Sequence, residues 1–297
     1  MLNAGSGTKS LGIEELESMF SSHQLDASVV SPKSGDDVSR LAASLAQSGH
    51  EIVVAAGGDG TVSAVASALA GSGIILGVLP LGTLNHFAKD LGIPLTLPEA
   101  IDNLAQGHIV KIDVGDVNGR VFINNISLGS YPAFVQARGD VRRRSVLSRW
   151  YNIFSAALNV LSRLPLLRAR VTVDAKPMKR ITPVIFIGNN EYELEGALIG
   201  SRRTMNRGRL SLIMARSRGP WGLIKLVVRA ALGALRGAKD LEVLLGREIE
   251  VRTKGGQTSL AVDGEVTEEI KWPLRCTVRQ GALQVLVPLD SAAGGPQ

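Results

Sequence analysis

Ile52-Val53-Val54-Ala55-Ala56-Gly57-Gly58-Asp59-Gly60-Thr61, running on into Val62 to Leu69, decides how this chain is read. A short apolar, β-branched run gives way to three glycines around one carboxylate and then to a helical pattern. That order is a strand, a tight loop and a helix N-terminus. Without Cβ atoms the glycines let backbone N–H groups close on phosphate oxygens, and the helix dipole adds about half a positive charge at the same point. A bare Asp59 carboxylate is poorly placed beside phosphates, so it is expected to meet them through Mg²⁺ or to order the loop. On its own, a glycine cluster after a strand is as readily a plain turn as a nucleotide site.

A second loop shifts that balance. Ile74-Ile75-Leu76-Gly77-Val78-Leu79 reads as a buried parallel strand, and Pro80-Leu81-Gly82-Thr83-Leu84-Asn85-His86-Phe87-Ala88 follows as another turn entering a helix. Both loops leave carboxyl ends of neighbouring strands, the edge of an open α/β sheet at which ligands sit.

The first half alternates in type. Helical patterns at Ile13 to Phe20, Asp36 to Gln47 and Leu97 to Ala105 surround an extended stretch at Ala27 to Val30 and the two strand-loop-helix units. This predicts a parallel sheet covered by helices. Past Gly107 the pattern changes: Val110 to Val117 and Val121 to Ser127 flank Asn118-Gly119, a strong hairpin signal. Further strand-like runs occur at Arg170 to Val173, Ile181 to Ile187, Leu210 to Met214, Arg247 to Arg252, Ser259 to Val262, Thr277 to Val278 and Leu283 to Val287. The division is therefore an α/β domain over 1–107 and a β-rich domain over 108–297.

At 297 residues with 45% hydrophobic content the chain has enough apolar surface for two cores. Its net charge of +6 favours anionic partners without choosing among nucleotides, lipid surfaces and nucleic acid. The single Cys276 excludes an intramolecular disulfide and a zinc cluster. Met1 to Ser10 lacks a secretory pattern, and the longest uncharged run, Thr61 to Ala88, is broken by glycines and Pro80, so an intracellular protein without a membrane-spanning helix is expected.

Two segments carry a membrane-surface pattern. Arg142-Arg143-Arg144 and Arg149 precede Trp150, Ile153, Phe154, Ala157, Leu158, Leu161 and Leu164 at helical spacing, and Trp221 to Leu235 follows Gly219-Pro220 with Lys225, Arg229 and Arg236 on one side. Helices packed on the β-domain account for the same pattern.

Gly57-Gly58-Asp59-Gly60-Thr61, the Pro80 to Ala88 loop, the opening Asn3-Ala4-Gly5-Ser6-Gly7 and the late Val262-Asp263-Gly264-Glu265 together resemble the diacylglycerol kinase catalytic-domain family, in particular its bacterial soluble lipid kinases. Each motif is loose, but four in the right order span nearly the whole chain. The resemblance implies a nucleotide-binding domain of NAD kinase/phosphofructokinase-like type followed by a β-sandwich, with ATP and Mg²⁺ as cofactors. It points to Asp263-Gly264-Glu265 as the place of the general base, Glu265 ahead of Asp263, and leaves Asp59 as a metal or base candidate. Carried over residue by residue, Asn3, Gly5, Ser6 and Gly7 match the opening phosphate loop. Gly57, Gly58, Asp59, Gly60, Thr61, Ser63, Thr83 and Asn85 lie near ATP, and Ser31 aligns with a nucleotide-contacting Thr. His86 stands where relatives often carry Asp.

Three departures are visible. Ala4 replaces the usual proline. Only Met1 and Leu2 precede a loop that in the family follows a complete strand, so a chain extended upstream is expected to be more soluble. Where relatives build a structural Mg²⁺ site between Ile199 and Leu212, this chain has Asn206-Arg207-Gly208 and Ser211 with Arg202, Arg203 and Arg209. That cationic set is expected to repel a second metal and to face a lipid phosphate or the membrane.

The resemblance thus implies a lipid kinase that moves the γ-phosphoryl of ATP to a diacylglycerol-like hydroxyl. It would be cytoplasmic and peripheral to the membrane, with ATP and lipid as partners, no nucleic acid, and a homodimer open. The alternatives are a kinase of a soluble alcohol and a nucleotide-binding protein without turnover.

Overall fold

The computed structural model describes residues 1–2, 12–32, 35–129, 166–194, 200–216, 241–254, 260–267 and 271–291 of the chain. Its N-terminal helices are α1 (Ile13–Ser22) and α2 (Gly35–Ala46). Then β1 (Ile52–Gly57) runs into α3 (Asp59–Leu69), and β2 (Ile75–Pro80) into the short α4 (His86–Asp90). β1 and β2 pair in parallel from Ile52 beside Ile75 to Gly57 beside Pro80, so the two glycine loops leave adjacent strands at one end.

Strand alternation sends side chains into two separate cores. Val53, Ala55, Leu76 and Val78 pack beneath α2 and α3. Ala56 and Leu79 face the opposite layer, formed by α1 and α5 (Leu97–Gln106). Gly77 is required there: a Cβ at this position would lie 2.6 Å from Leu104 of α5.

β3 (His108–Val117) and β4 (Arg120–Phe122) form the expected hairpin, with Asn118 at φ 50° and Gly119 at φ 91° supplying the doubly left-handed turn. Beyond it the α/β sheet and the β-rich half are welded by β14 (Leu274–Val287). This strand runs parallel to β2 at Gln284 and Val285, antiparallel to β3, and antiparallel to β11 (Glu248–Thr253). Its bulge between Arg279 and Leu283 is pinned by Asp113 of β3, whose buried carboxylate accepts the amides of Gly281 and Gly208. The sheet continues through β6 (Leu167–Val173) to β7 (Lys176–Thr182).

The second sheet runs β10 (Leu241–Gly246), β9 (Leu210–Ala215), β8 (Val184–Asn189), β5 (Asn125–Gly129), β12 (Leu260–Val262), β13 (Glu265–Thr267). Val171, Ile185, Ile187, Leu212, Ile249 and Leu274 fill the space between the sheets. Phe122 is fully buried over Gly115, where a Cβ would meet the ring at 2.1 Å, and such a burial stabilises by about 2–3 kcal/mol. The architecture is the expected one, a mixed α/β unit with a β-sandwich.

Several strand boundaries differ from the expectation. Val121 to Ser127 is not one strand: the chain bends at Ile123-Asn124 and passes from β4 in the first sheet to β5 in the second. Ile181 to Ile187 splits likewise at Pro183, whose missing N–H interrupts the ladder. Thr277 to Val278 and Leu283 to Val287 merge into β14 across its bulge. β10 and β13 carry no alternating pattern and were not foreseen. Ala27 to Val30 forms no ladder; Val30 accepts one bond from the Leu2 amide, and Leu2 bridges Ala56 in parallel beside β1.

The opening loop Asn3 to Gly7 and the amphipathic segments at 142–164 and 221–235 lie outside the described residues. Among the described residues no helix is long and apolar enough to cross a membrane.

Candidate active site

The first glycine loop is tightly built. Gly58 caps α3 in an extended conformation, and a Cβ on Gly57 would fall 2.7 Å from Thr61, which is buried against it. The second loop presses on the first: a Cβ on Gly82 would lie 2.6 Å from the Cα of Gly58 and 2.7 Å from Oδ1 of Asn85. Asn85 enters α4 at φ 50° and donates from Nδ2 to the carbonyls of Gly82 at 2.9 Å and Pro80 at 3.3 Å, which folds that loop back on itself. Two glycine turns thus meet in backbone contact at the N-terminus of α3, a place whose helix dipole favours an anion.

Asp59 sits half-buried in the first turn of α3, with the Phe87 amide donating to its Oδ1 at 3.5 Å. Thr83 is exposed on the second loop, and Ser31 is exposed immediately after Val30.

From the sandwich, the β12–β13 hairpin reaches this place. Its turn is Asp263-Gly264, at φ 49° and 90°. The left-handed pair sends Asp263 and Glu265 to different surroundings rather than to one face. Asp263 turns inward. Its Oδ1 accepts the amides of Asn124 at 2.8 Å and Asn125 at 2.9 Å, and its Oδ2 accepts the amide of Ile123 at 2.9 Å and the hydroxyl of Ser63. Four donors fill the four acceptor positions of a carboxylate. Burial pushes this carboxyl above its ordinary value, against the pull of those donors. The sequence reading ranks Asp263 behind Glu265 as base and puts Ser63 near ATP; in the structure the Ser63 hydroxyl donates to Asp263, whose carboxylate also holds the amides of the bend at Ile123-Asn124.

Glu265 turns outward. Its carboxylate is exposed, with Oε1 at 3.4 Å from the position a Cβ on Gly60 would take and Oε2 at 3.6 Å from Nη2 of Arg120. An exposed carboxylate of the sandwich therefore stands over the first turn of α3.

Beneath the bend lies a network that the sequence did not announce. The guanidinium of Arg202, fully buried, pairs with Asp90 of α4 through Nε at 2.7 Å. It also donates to the carbonyl of Ile123 at 2.6 Å and to Oδ1 of Asn124 at 2.8 Å. Tyr192 covers it with its ring centroid 5.3 Å away, and the Tyr192 hydroxyl, pushed up to about 12 by burial, donates to the carbonyl of Asn124 at 2.9 Å. Arg202 was expected among cations facing a lipid or a membrane; it faces the interior, because Asp90 offers it a buried partner. Arg203 pairs with Glu193 at 2.6 Å, and Arg207 donates to Thr204. A single arginine in a basic run gives no sequence signal for burial, and its acidic partner lies 112 residues upstream.

Among the described residues no cluster of three or more His, Cys, Asp or Glu is arranged to hold a metal ion. A nucleotide-bound Mg²⁺ needs only one or two protein carboxylates beside phosphate oxygens, and Asp59 is the carboxylate in the first turn of α3.

The diacylglycerol kinase catalytic domain family matches residues 1–117, and the YegS C-terminal NAD kinase β-sandwich-like domain family matches residues 126–287. A Staphylococcus saprophyticus protein named diacylglycerol kinase is 39% identical over 94 residues, which are 31% of this chain and 30% of that protein. A Cronobacter sakazakii protein named "Probable lipid kinase YegS-like" is 35% identical over 115 residues, 37% of this chain and 38% of that one. The matches thus span about a third of these relatives' length. The crystal structure of a diacylglycerol kinase from Bacillus anthracis strain Sterne superposes with a TM-score of 0.70 at 17% identity, over 98% of this chain and 96% of that one, a likeness of fold.

Proposed function

Because this chain belongs to the diacylglycerol kinase catalytic-domain family, we propose that it transfers the γ-phosphoryl of ATP to the hydroxyl of a diacylglycerol or a related lipid. The observation that carries the proposal is the meeting of Gly60 and Glu265, with a glycine loop at a helix N-terminus on one side and an exposed carboxylate, paired only loosely with Arg120, on the other.

The family resemblance and the positions of the two loops support the following roles. Amides of the loops at Gly57 to Gly60 and Gly82 to Thr83 hold the triphosphate, assisted by the α3 dipole. Asp59 would hold Mg²⁺, which when bound supplies charge neutralisation on the phosphate oxygens. Glu265 orients the attacking hydroxyl and takes its proton, the carboxylate role in phosphoryl transfer. Asp263 fixes the hairpin from which Glu265 projects and takes no proton itself. The lipid reaches the site at a membrane surface, and Asn3, Gly5, Ser6 and Gly7 are carried over as nucleotide contacts by the family resemblance alone.

Labelled ATP and Mg²⁺ with a lipid extract in mixed micelles test this directly, followed by separation of the phosphorylated products. A labelled lipid phosphate made by the wild type and lost in Glu265→Gln is the expected result. Label on a water-soluble alcohol alone selects the soluble-substrate kinase, and ATP binding without any labelled product selects a protein that has lost turnover.

A further inference from the structure

In the family resemblance a structural Mg²⁺ belongs between Ile199 and Leu212, and the residues of this chain do not fit one. From 199 to 212 there is no Asp or Glu, and Arg202, Arg203, Arg207 and Arg209 stand there instead. Among the described residues, the carboxylates bonded to this stretch are already engaged. Asp113 holds the amides of Gly208 and Gly281, Glu193 pairs with Arg203, and Asp90 takes both the amide of Arg202 at 3.1 Å and its guanidinium. We propose that Arg202 is itself the structural cation of this place, its guanidinium gathering the oxygens that a bound ion would otherwise gather.

The acceptor set carries this assignment. The guanidinium donates only to oxygens: Oδ2 of Asp90 at 2.7 Å, the carbonyls of Ile123 at 2.6 Å and Asn189 at 3.3 Å, and Oδ1 of Asn124 at 2.8 Å. Such a set suits a hard cation, but it contains a single carboxylate. A divalent ion there would leave positive charge uncompensated in a buried place, whereas the guanidinium and Asp90 cancel. The planar fork also aims its N–H groups in the directions needed to tie the end of α4, the bend between β4 and β5, and the end of β8.

The bend gains most from this arrangement. Its amides at Ile123, Asn124 and Asn125 meet Asp263, while the Ile123 carbonyl and the Asn124 side chain meet Arg202. The bend is therefore held by an anion through its amides and by a cation through its oxygens. Because Asp263 fixes the hairpin that carries Glu265, Arg202 is a positioning residue for that carboxylate. This role rests on the kinase reading; the structural cation does not.

Thermal unfolding of the full chain without nucleotide tests the cation. The wild type should melt at the same temperature, within about 1 °C, in EDTA and in millimolar Mg²⁺ or Ca²⁺. Arg202→Ala should melt about 6–15 °C lower and regain about 3–5 °C in methylguanidinium at about ten times its Kd, which leaves the wild type unmoved. Arg202→Lys, which keeps the charge but not the fork, should melt between the two. Where Arg202→Ala does not fold alone, the expected recovery is folding in methylguanidinium. In mixed-micelle assays methylguanidinium should raise kcat of Arg202→Ala by at least about fivefold and leave KM for ATP within about twofold. A wild type stabilised by a divalent ion, or an Arg202→Ala chain that methylguanidinium does not stabilise, overturns the structural cation. Regained stability without regained kcat overturns the positioning role. A wild type that makes no lipid phosphate fails the kinase reading and leaves the melting result standing.

Discussion

The hydroxyl of Ser63, on the helix that follows the first glycine loop, donates to the carboxylate of Asp263, which lies 200 residues further along the chain. Through this bond the α/β half and the sandwich share one half-buried acceptor, and the three amides of Ile123, Asn124 and Asn125 complete its shell. A buried donor left without its acceptor costs about 1–3 kcal/mol. Asp263→Ala strands several donors and should lower stability by more than about 3 kcal/mol, with Asp263→Asn and Ser63→Ala intermediate. Urea unfolding curves measure the order.

Glu265 should show the opposite profile. Exposed and bound only at the rim by Arg120, it contributes little to folding. Glu265→Gln should leave stability within about 0.5 kcal/mol while kcat falls by about 10²–10⁴-fold. Kinetics and unfolding on the same preparation separate the two acids; a Glu265→Gln enzyme with full turnover removes it from the role of base.

Gly82→Ala places a methyl group against the backbone of Gly58 and against Oδ1 of Asn85, a side chain tied down by its bonds to the Gly82 and Pro80 carbonyls. The loops must part, and ATP affinity measured by calorimetry should fall at least about tenfold, with the fold intact by circular dichroism.

The Asp90–Arg202 pair, with side chains 5% and 0% exposed, is beyond the reach of solvent screening. Removing one member of such a pair leaves an uncompensated charge and costs about 3–5 kcal/mol. Arg202→Met should lose that much, and a double-mutant cycle with Asp90→Asn should give a coupling of about 1–3 kcal/mol.

Arg180 donates to both oxygens of Glu242, at 2.8 and 2.7 Å, joining the far edges of the two sheets. Those hydrogen bonds hold the Glu242 carboxyl below its ordinary 4.5, burial opposing. A folded-state value below the unfolded one stabilises fully above about pH 4.5 and is lost as pH falls through the lower value. The stability gap between wild type and Glu242→Gln should accordingly be constant from pH 5 to 7 and close below pH 4.5 in denaturant titrations.

Strands were legible where an apolar run is buried on both faces, as in β1 and β2, or where one face alternates, as in β6, and helices where a stripe repeats, as in α1, α2 and α5. Legibility failed where a strand changes sheets. Val121 to Ser127 is uniformly strand-like in sequence, yet its break at Ile123-Asn124 turns out the amides that hold Asp263, and only the position of Asp263 gives that break a reason. Asp263-Gly264 was readable both as a turn and as a catalytic pair; it is a turn that separates its two carboxylates.

What the chain's own order of residues determined is local: glycine turns after apolar strands, the Asn118-Gly119 hairpin, and a helical half followed by an extended one, all set by backbone freedom and by hydrophobic period over a few residues. Tertiary structure alone decided which carboxylate is free. Asp263 and Glu265 differ by two positions and are chemically alike, but one meets Ser63 and three amides from distant segments while the other meets solvent, Gly60 and, loosely, Arg120. Contacts at such separations depend on how β14 and the bend at Ile123-Asn124 bring the two halves together, and no local pattern encodes that.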